Sequence, residues 1–254
     1  RDHIRSTLEW LFPPLRFFAL SIVEVPLPMT FMELAANCLR LLRALLAPFF
    51  CDGGPLAANA DAARGAPVVG KKHKLDPEKI IEANIIIALL WSVGAVTDKS
   101  GRMKFEAFFC KLLAGSVESL PEFVLFNAKN PDYRVKNTDV SRVMIGKAPS
   151  ADGLLYDYCF KASAMAWGGW SDGEKKFKIP AKASFDTIVV PTIDTLRHSW
   201  VVNQLLSQHS HVLVTGETGT GKTAAIKHIM AELNGDAWMP MTLNFSAQTS
   251  ANMT

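Results

Sequence analysis

The chain has 254 residues, of which 49% are hydrophobic and 20% are charged, with a formal net charge of +3. This length suffices for one large or two small domains, and the apolar fraction excludes a disordered chain. The small net charge, without a basic stripe and interleaved aromatic residues, argues against a nucleic-acid partner. The longest apolar run, Ile85 to Trp91, is far shorter than the ~20 residues of a membrane span, so no membrane partner is expected.

The four cysteines lie far apart, without a CxxC pair or a histidine at metal-ligand spacing. They indicate thiols of a reducing compartment and not a zinc site. The first residues, Arg1-Asp2-His3, carry no signal-peptide pattern. We therefore expect a globular protein of the cytoplasm.

Apolar residues at helical spacing predict a helical first half. Thr30 with Glu33 has the pattern of a capping box, and Asp76 followed by Pro77 has the pattern of an N-cap and first helical residue. Pro13-Pro14 predicts a break in the first helix. The predicted helices span about 5–20, 30–47, 76–94 and 103–114.

A β-hairpin is predicted next. Leu154 to Phe160 alternates aromatic and other residues, and Ala166 to Trp170 can return antiparallel with Trp167 and Trp170 pairing across the strands. These aromatic residues fit either a ligand-stacking surface or, as we prefer, the packed face of a small hairpin. The stretches predicted without helix or strand are 48–74, 98–101 and most of 121–149.

The last third predicts alternating strands and helices. Thr192 is the predicted N-cap of a helix that ends near Gln208. The run from His211 to Thr215 has the composition of a buried parallel strand, and Ala224 to Leu233 that of an amphipathic helix. Further strands are predicted over 185–190 and 241–246, with a helix starting near 247.

Between the predicted strand at 211–215 and the predicted helix at 224–233 lies a phosphate-binding pattern, G-x-x-x-x-G-K-[ST]. Its residues are Gly216, Glu217, Thr218, Gly219, Thr220, Gly221, Lys222 and Thr223. The glycines let the backbone bend so that its N–H groups face an anion, and the N-terminus of the following helix adds donors and a positive dipole end. Lys222 is expected to reach the β- and γ-phosphates of ATP, and the Thr223 hydroxyl to hold Mg²⁺. The alternative is a glycine-rich turn that binds nothing.

The predicted fold class is mixed α and α/β. A helical domain is expected over residues 1–148, a β-hairpin and linker over 149–184, and the first part of a P-loop α/β domain over 185–254. No apolar run ending in acidic residues follows Lys222, so the Walker B element that a P-loop ATPase needs is expected outside this sequence.

Several strings resemble dynein heavy chains, in the order expected for the end of the second AAA+ module and the start of the third. Leu90-Trp91-Ser92-Val93-Gly94-Ala95 and Gly101-Arg102-Met103-Lys104-Phe105 look like the helical small (lid) domain. Tyr156-Asp157-Tyr158 looks like the hairpin between modules, and Asn244 to Ser250 looks like the axonemal branch. Val190, Pro191 and Thr192 match the lead-in segment that contacts adenine in AAA+ proteins.

The resemblance implies an ATP-driven, minus-end-directed microtubule motor in which this site belongs to a regulatory module that binds ATP or ADP with Mg²⁺. It implies as partners the neighbouring AAA+ modules, microtubules through other parts of the heavy chain, and dynein intermediate and light chains. It implies a place in the cytoplasm, on the cytoskeleton and in the ciliary axoneme. Glu217 stands where proline is more usual, and an acidic side chain there opposes a triphosphate unless it points outward.

Three hypotheses follow. The site belongs to an ATPase that is inactive in this chain alone, because half of the site lies elsewhere. Alternatively, it is a regulatory module that holds nucleotide without hydrolysis. The third possibility is a fused-module AAA+ remodelling protein outside the dyneins.

Overall fold

A computed structural model describes residues 1–26, 28–51, 54, 56, 75–133, 154–170, 192–233, 235 and 237–245. The chain divides into a helical unit, Arg1–Lys176 with Trp200–Val212, and a P-loop unit, Phe177–Ser199 with Leu213–Thr254. Both predicted domain boundaries, near 148 and 184, lie outside the described residues and stay predictions.

The first helix, α1 (Asp2–Ser21), runs through Pro13 and Pro14, so the predicted break is wrong. Pro14 has no N–H to donate to the carbonyl of Trp10, four residues earlier. The Tyr133 hydroxyl donates to that carbonyl at 2.7 Å. Pro14 itself is buried, so packing and this replacement bond hold the helix together across the two prolines.

Helix α2 (Phe31–Phe50) begins with the predicted capping box. The backbone N–H of Glu33 donates to the Thr30 hydroxyl at 3.3 Å, and the backbone N–H of Thr30 donates to the Glu33 carboxylate at 2.7 Å. The bonds that the Glu33 carboxylate accepts, from Thr30 N–H and from the Thr30 hydroxyl, lower the pKa of Glu33. The helix includes Pro48 and ends later than predicted.

Helix α3 (Pro77–Leu89) also begins as predicted, with the Asp76 carboxylate accepting from the N–H groups of Glu78 and Lys79. It continues into a π-helical turn, Leu90–Gly94, that is buried throughout. Ser92 donates its hydroxyl proton to the Ala88 carbonyl, a bond that satisfies a polar group inside the core.

Two further helices differ from the prediction. Helix α4 (Lys99–Leu113) begins at the predicted turn, because the Asp98 carboxylate accepts from Gly101 N–H at 2.6 Å and makes this turn an N-cap. Helix α5 (Pro121–Lys129) lies in the stretch of weak periodicity, and it has Pro121 at its first position.

The core of the helical unit lies where α1 packs on α3, α4 and α5, and α2 packs on α3 and the π-helical turn. Most apolar residues of α3 are buried, Ile81 being half-buried, and so are the apolar residues of α4 that helical spacing places inward, Phe105, Phe108, Phe109 and Leu112. Phe18 of α1 stacks on Phe108 of α4 with ring centroids 4.4 Å apart. Tightly buried aromatic rings at the centre are Phe105, Phe109, Phe123, Phe126 and Tyr156.

The predicted β-hairpin is present but shorter. Strand β1 (Tyr158–Lys161) pairs antiparallel with β2 (Ala166–Gly169). Trp167 pairs across the strands with Phe160, as predicted. Trp170 lies beyond β2 and pairs with no residue of β1, and its ring lies against Trp91 and Trp200. The predicted start of the first strand is instead a 3₁₀ turn, Leu155–Asp157. Tyr156 and Trp170, which flank the strands, are buried, and Phe160 and Trp167 are partly buried against the core, which supports a packed face.

The helix of the lead-in region is α6 (Ile193–Leu206), and the last described helix is α7 (Lys222–Glu232). In the described part of the P-loop unit, Ser199 and Ile229 are the buried residues. Among the helices of the described ranges, none combines the length and the apolar character that crossing a membrane requires.

Candidate functional site

The lead-in segment is described only from Thr192. The Thr192 hydroxyl accepts a hydrogen bond from Thr195 N–H at 3.1 Å, and the Thr192 carbonyl accepts one from Leu196 N–H. Thr192 is therefore the N-cap of α6, as predicted. Val190 and Pro191, the other two predicted adenine contacts, lie outside the described residues. The described hydrogen bonds of Thr192 stay within its own helical turn.

The stretch before the loop does not form the predicted strand. Residues 211–215 pair with no other described segment, and Leu213 is 80% exposed. A parallel strand is buried only when neighbouring strands flank it and helices cover its faces. The predicted neighbour at 185–190 lies outside the described residues, and residues 241–245 form no strand either.

The loop itself turns at three glycines with positive φ, namely +155° at Gly216, +84° at Gly219 and +77° at Gly221. Residues with a side chain rarely adopt these angles, which explains why the pattern fixes glycine at 216 and 221 and why glycine suits the variable position 219. A Cβ at Gly219 or Gly221 would meet no atom within 4 Å. The glycines are therefore required by backbone conformation, and the space beside them is open.

Lys222 holds the loop in shape. Its ammonium donates to the carbonyls of Gly216 at 3.0 Å and Glu217 at 2.5 Å, and lies 3.3 Å from the Thr220 hydroxyl. The Thr220 hydroxyl donates to the Glu217 carbonyl at 2.9 Å. The positive charge is therefore fixed across the loop by the loop's own backbone, which reduces the ordering that an anion must impose on binding.

Helix α7 starts directly at this loop, with Gly221 as its N-cap in the left-handed conformation. Ala225 N–H makes a helical bond to the Gly221 carbonyl. The N–H groups of Lys222, Thr223 and Ala224 come before it and have no helical acceptor, and no side chain caps them. Together with the helix dipole, these donors favour an anion at the loop.

Two other predicted site residues are exposed. Thr223 is solvent-accessible in the first turn of α7. The Glu217 side chain is exposed as well, while its carbonyl belongs to the Lys222 contacts. The bond between Thr220 and Glu217 was not foreseen, because the pattern G-x-x-x-x-G-K-[ST] leaves both positions variable.

The helix predicted after the loop is present, but its burial and its limits differ from the prediction. Ile229 is buried, whereas Ile226 on the same predicted face is 39% exposed. The helix spans two residues more at its N-terminus than predicted, so Lys222 and Thr223 are held by helical backbone.

Two family descriptions match the chain in succession. Residues 4–172 match the dynein heavy chain AAA lid domain, and residues 177–254 match the P-loop containing dynein motor region. The chain belongs to the dynein heavy chain family. This membership excludes the third hypothesis, a remodelling protein outside the dyneins.

Individual dynein heavy chains show the same relationship. Dynein axonemal heavy chain 12 of Rattus norvegicus is 32% identical over 174 residues, which cover 67% of this chain and 5% of that protein. Dynein-1-beta heavy chain of the flagellar inner arm I1 complex of Chlamydomonas reinhardtii is 30% identical over 68% of this chain and 3% of its own length. Dynein axonemal heavy chain 3 of Homo sapiens is 29% identical over 68% of this chain and 4% of its own length. The chain thus spans about one twentieth or less of these relatives.

Proposed function

We propose that this dynein heavy chain segment binds ATP or ADP with Mg²⁺ at Gly216–Thr223. The observation that carries the proposal is the arrangement of Lys222, whose ammonium is fixed across a loop of positive-φ glycines at the N-terminus of α7. Phosphate binding needs a fixed cation together with free N–H donors. This short segment has a lysine held by its own backbone and, in the first turn of α7, N–H groups without a helical acceptor.

The residues suit the nucleotide and its metal. Gly219 and Gly221 leave open space for phosphate oxygens, Lys222 supplies the charge, and Thr223 offers an exposed hydroxyl as a Mg²⁺ ligand. When bound, Mg²⁺ neutralises phosphate charge. Because the Glu217 side chain is exposed, it can point away from a triphosphate, and its repulsion is then screened by solvent. Val190, Pro191 and Thr192 remain the proposed adenine contacts.

We infer further that the site belongs to a regulatory AAA+ module, the third, and that the helical unit closes the second module. The support is the order of the two family matches, a lid followed by a P-loop region. The domain limits 1–148, 149–184 and 185–254 are part of this proposal. Neighbouring AAA+ modules would complete the site.

The whole heavy chain is proposed to be an ATP-driven, minus-end-directed microtubule motor of the ciliary or flagellar axoneme. The named relatives support this, since the rat and human proteins are axonemal heavy chains and the algal one belongs to a flagellar inner arm complex. Microtubules, reached through other parts of the heavy chain, and dynein intermediate and light chains are the proposed partners.

The test is a titration of the chain with a fluorescent ADP analogue and Mg²⁺, in the wild type, Lys222→Ala and Lys227→Ala. Lys227 is an exposed lysine of the same helix and serves as the matched control. Losing a charge-assisted contact of about 1.5–3 kcal/mol predicts affinity about ten- to hundredfold weaker for Lys222→Ala. Circular dichroism should show unchanged helix content. Equal affinity in all three proteins would contradict the proposal.

Hydrolysis is tested separately in the full-length heavy chain. Loss of part of the ATP turnover in Lys222→Ala, beside normal turnover in Lys227→Ala, supports a hydrolysing module. Binding with no effect on turnover supports a nucleotide-holding regulatory module. Steady turnover by this chain alone, abolished by Lys222→Ala, would overturn the inference that other modules complete the site.

A further inference from the structure

A buried carboxyl group connects α4 to the segment Leu154–Trp170, which contains the hairpin. Glu106 Oε1 accepts a hydrogen bond from Leu155 N–H at 2.6 Å, across 49 residues of sequence. Its other oxygen, Oε2, is buried and makes no hydrogen bond with the described residues. A buried carboxylate with one free oxygen is costly when charged, and much less so when protonated.

Among the described residues, no cation forms an ion pair with Glu106. Asp157, from the 3₁₀ turn, contributes a second negative charge, and Cys110 lies one turn further along α4. The π-helical turn Leu90–Gly94 has no titratable side chain, and α1 contacts α4 through Phe18. Arg102, one turn earlier on α4, has a buried Nε that makes no hydrogen bond with the described residues, and it is not among the groups that shift the pKa of Glu106.

The residues beside the bond between Leu155 and Glu106 hold the segment Leu154–Trp170 against the helices. Tyr156 is buried and edge-on to Trp91, and its carbonyl accepts from Trp170 Nε1 at 2.8 Å. The Trp170 ring packs against Trp200 of α6, with centroids 5.2 Å apart. A change at Leu155 therefore reaches the aromatic contacts that hold the hairpin segment onto the helical unit.

We propose that Glu106 is a protonation-controlled latch that keeps the segment Leu154–Trp170 docked when its carboxyl is neutral and loosens it when the carboxyl is ionised. The inference is independent of nucleotide binding. Burial raises the pKa of Glu106 to about 7, the hydrogen bond from Leu155 opposes this rise, and Asp157 adds to it.

The direction with pH follows from that raised pKa. The contribution of the neutral Glu106 carboxyl to the stability of the docked segment is complete below the ordinary carboxyl pKa of 4.5. This contribution is lost as the pH rises through about 7. Between pH 6 and pH 8 the undocked carboxyl is ionised throughout, whereas the docked one loses its proton. The equilibrium constant for undocking is therefore expected to rise about tenfold over this interval.

The experiment measures amide hydrogen exchange at Leu155 by NMR, corrected for the intrinsic pH dependence of exchange, in the whole chain. The wild type should lose about tenfold in protection from pH 6 to pH 8. Glu106→Gln, which keeps an acceptor but cannot ionise, should show constant protection. Glu118→Gln removes an exposed carboxyl of the same unit and should behave like the wild type.

A second variant covers the case in which Glu106→Gln does not fold. Asp157→Asn keeps an oxygen for Leu154 N–H, which donates to Asp157 Oδ2 at 3.0 Å, but removes the negative charge. The midpoint of the Glu106 carboxyl, followed by its ¹³C shift, should move to lower pH in this variant. A wild-type midpoint near 4.5, or equal protection at pH 6 and pH 8, would overturn the latch.

Discussion

Gly94, the last residue of the π-helical turn, has no room for a side chain. A Cβ at this position would lie 2.0 Å from Tyr156 Oη and 2.7 Å from Phe105 Cδ1 and Cε1. Neither ring can retreat easily, because both are buried and Trp91 lies edge-on against Tyr156. Gly94→Ala should therefore destabilise the helical unit.

The magnitude can be worked out from two opposing terms. Overpacking of a well-packed core costs about 1–3 kcal/mol, and three contacts below 3 Å put Gly94→Ala at the upper end. Alanine recovers about 1 kcal/mol through its better helix propensity. The expected net loss in the free energy of unfolding is about 2 kcal/mol.

Urea unfolding followed by circular dichroism at 222 nm measures this loss. Gly235→Ala is the control, since a Cβ there meets no atom within 4 Å, and it should change stability by less than about 1 kcal/mol. Adding Tyr156→Phe to Gly94→Ala removes the closest contact and should recover part of the loss. If Gly94→Ala unfolds within about 0.5 kcal/mol of the wild type, the packing described around the π-helical turn is wrong.

Two further substitutions test the helical unit by the same urea unfolding. Phe105→Ala should cost about 3–5 kcal/mol because it empties a fully buried ring site, whereas Val124→Ala, at a residue that is 56% exposed, should stay within about 0.5 kcal/mol. Equal effects would contradict the assigned core. Thr30→Ala removes the hydroxyl that accepts from Glu33 N–H and should cost about 1 kcal/mol. An unchanged stability would mean that the capping box does not contribute.

Local signals in the sequence predicted most of the helical unit. The starts of α2 and α3 were correct because capping by Thr30 and Asp76 involves residues only two or three positions apart. The inward faces of α3 and α4 followed from apolar spacing. These features depend on residues close in sequence, which periodicity and capping patterns describe.

Two of the errors came from contacts between residues that are distant in the sequence. The break at Pro13-Pro14 was wrong because Tyr133, far along the chain, supplies the hydrogen bond that Pro14 cannot make. Trp170 was assigned to the hairpin, yet its ring packs on Trp91 and Trp200. Neither partner is detectable from local spacing.

The sequence predicted the position of the phosphate-binding loop but not the hydrogen bonds within it. The pattern identified Gly216–Thr223 as a phosphate-binding loop, and the positive φ values of its glycines agree with that pattern. It did not predict that Lys222 would bind the carbonyls of Gly216 and Glu217, since backbone acceptors leave no mark in the sequence. The prediction of a strand at 211–215 was wrong because a strand forms only beside neighbouring strands, which the local sequence does not describe.

The most direct measurement of the central proposal is the change in backbone amide NMR shifts when Mg-ADP is added to the ¹⁵N-labelled chain. If the loop binds phosphate through its N–H groups, the largest shifts should fall on Gly219, Gly221, Lys222 and Thr223, and Lys222→Ala should need about ten- to hundredfold more Mg-ADP to reach the same shifts. If millimolar Mg-ADP leaves these amides unchanged, or shifts them equally in Lys222→Ala, Gly216–Thr223 is not the nucleotide site.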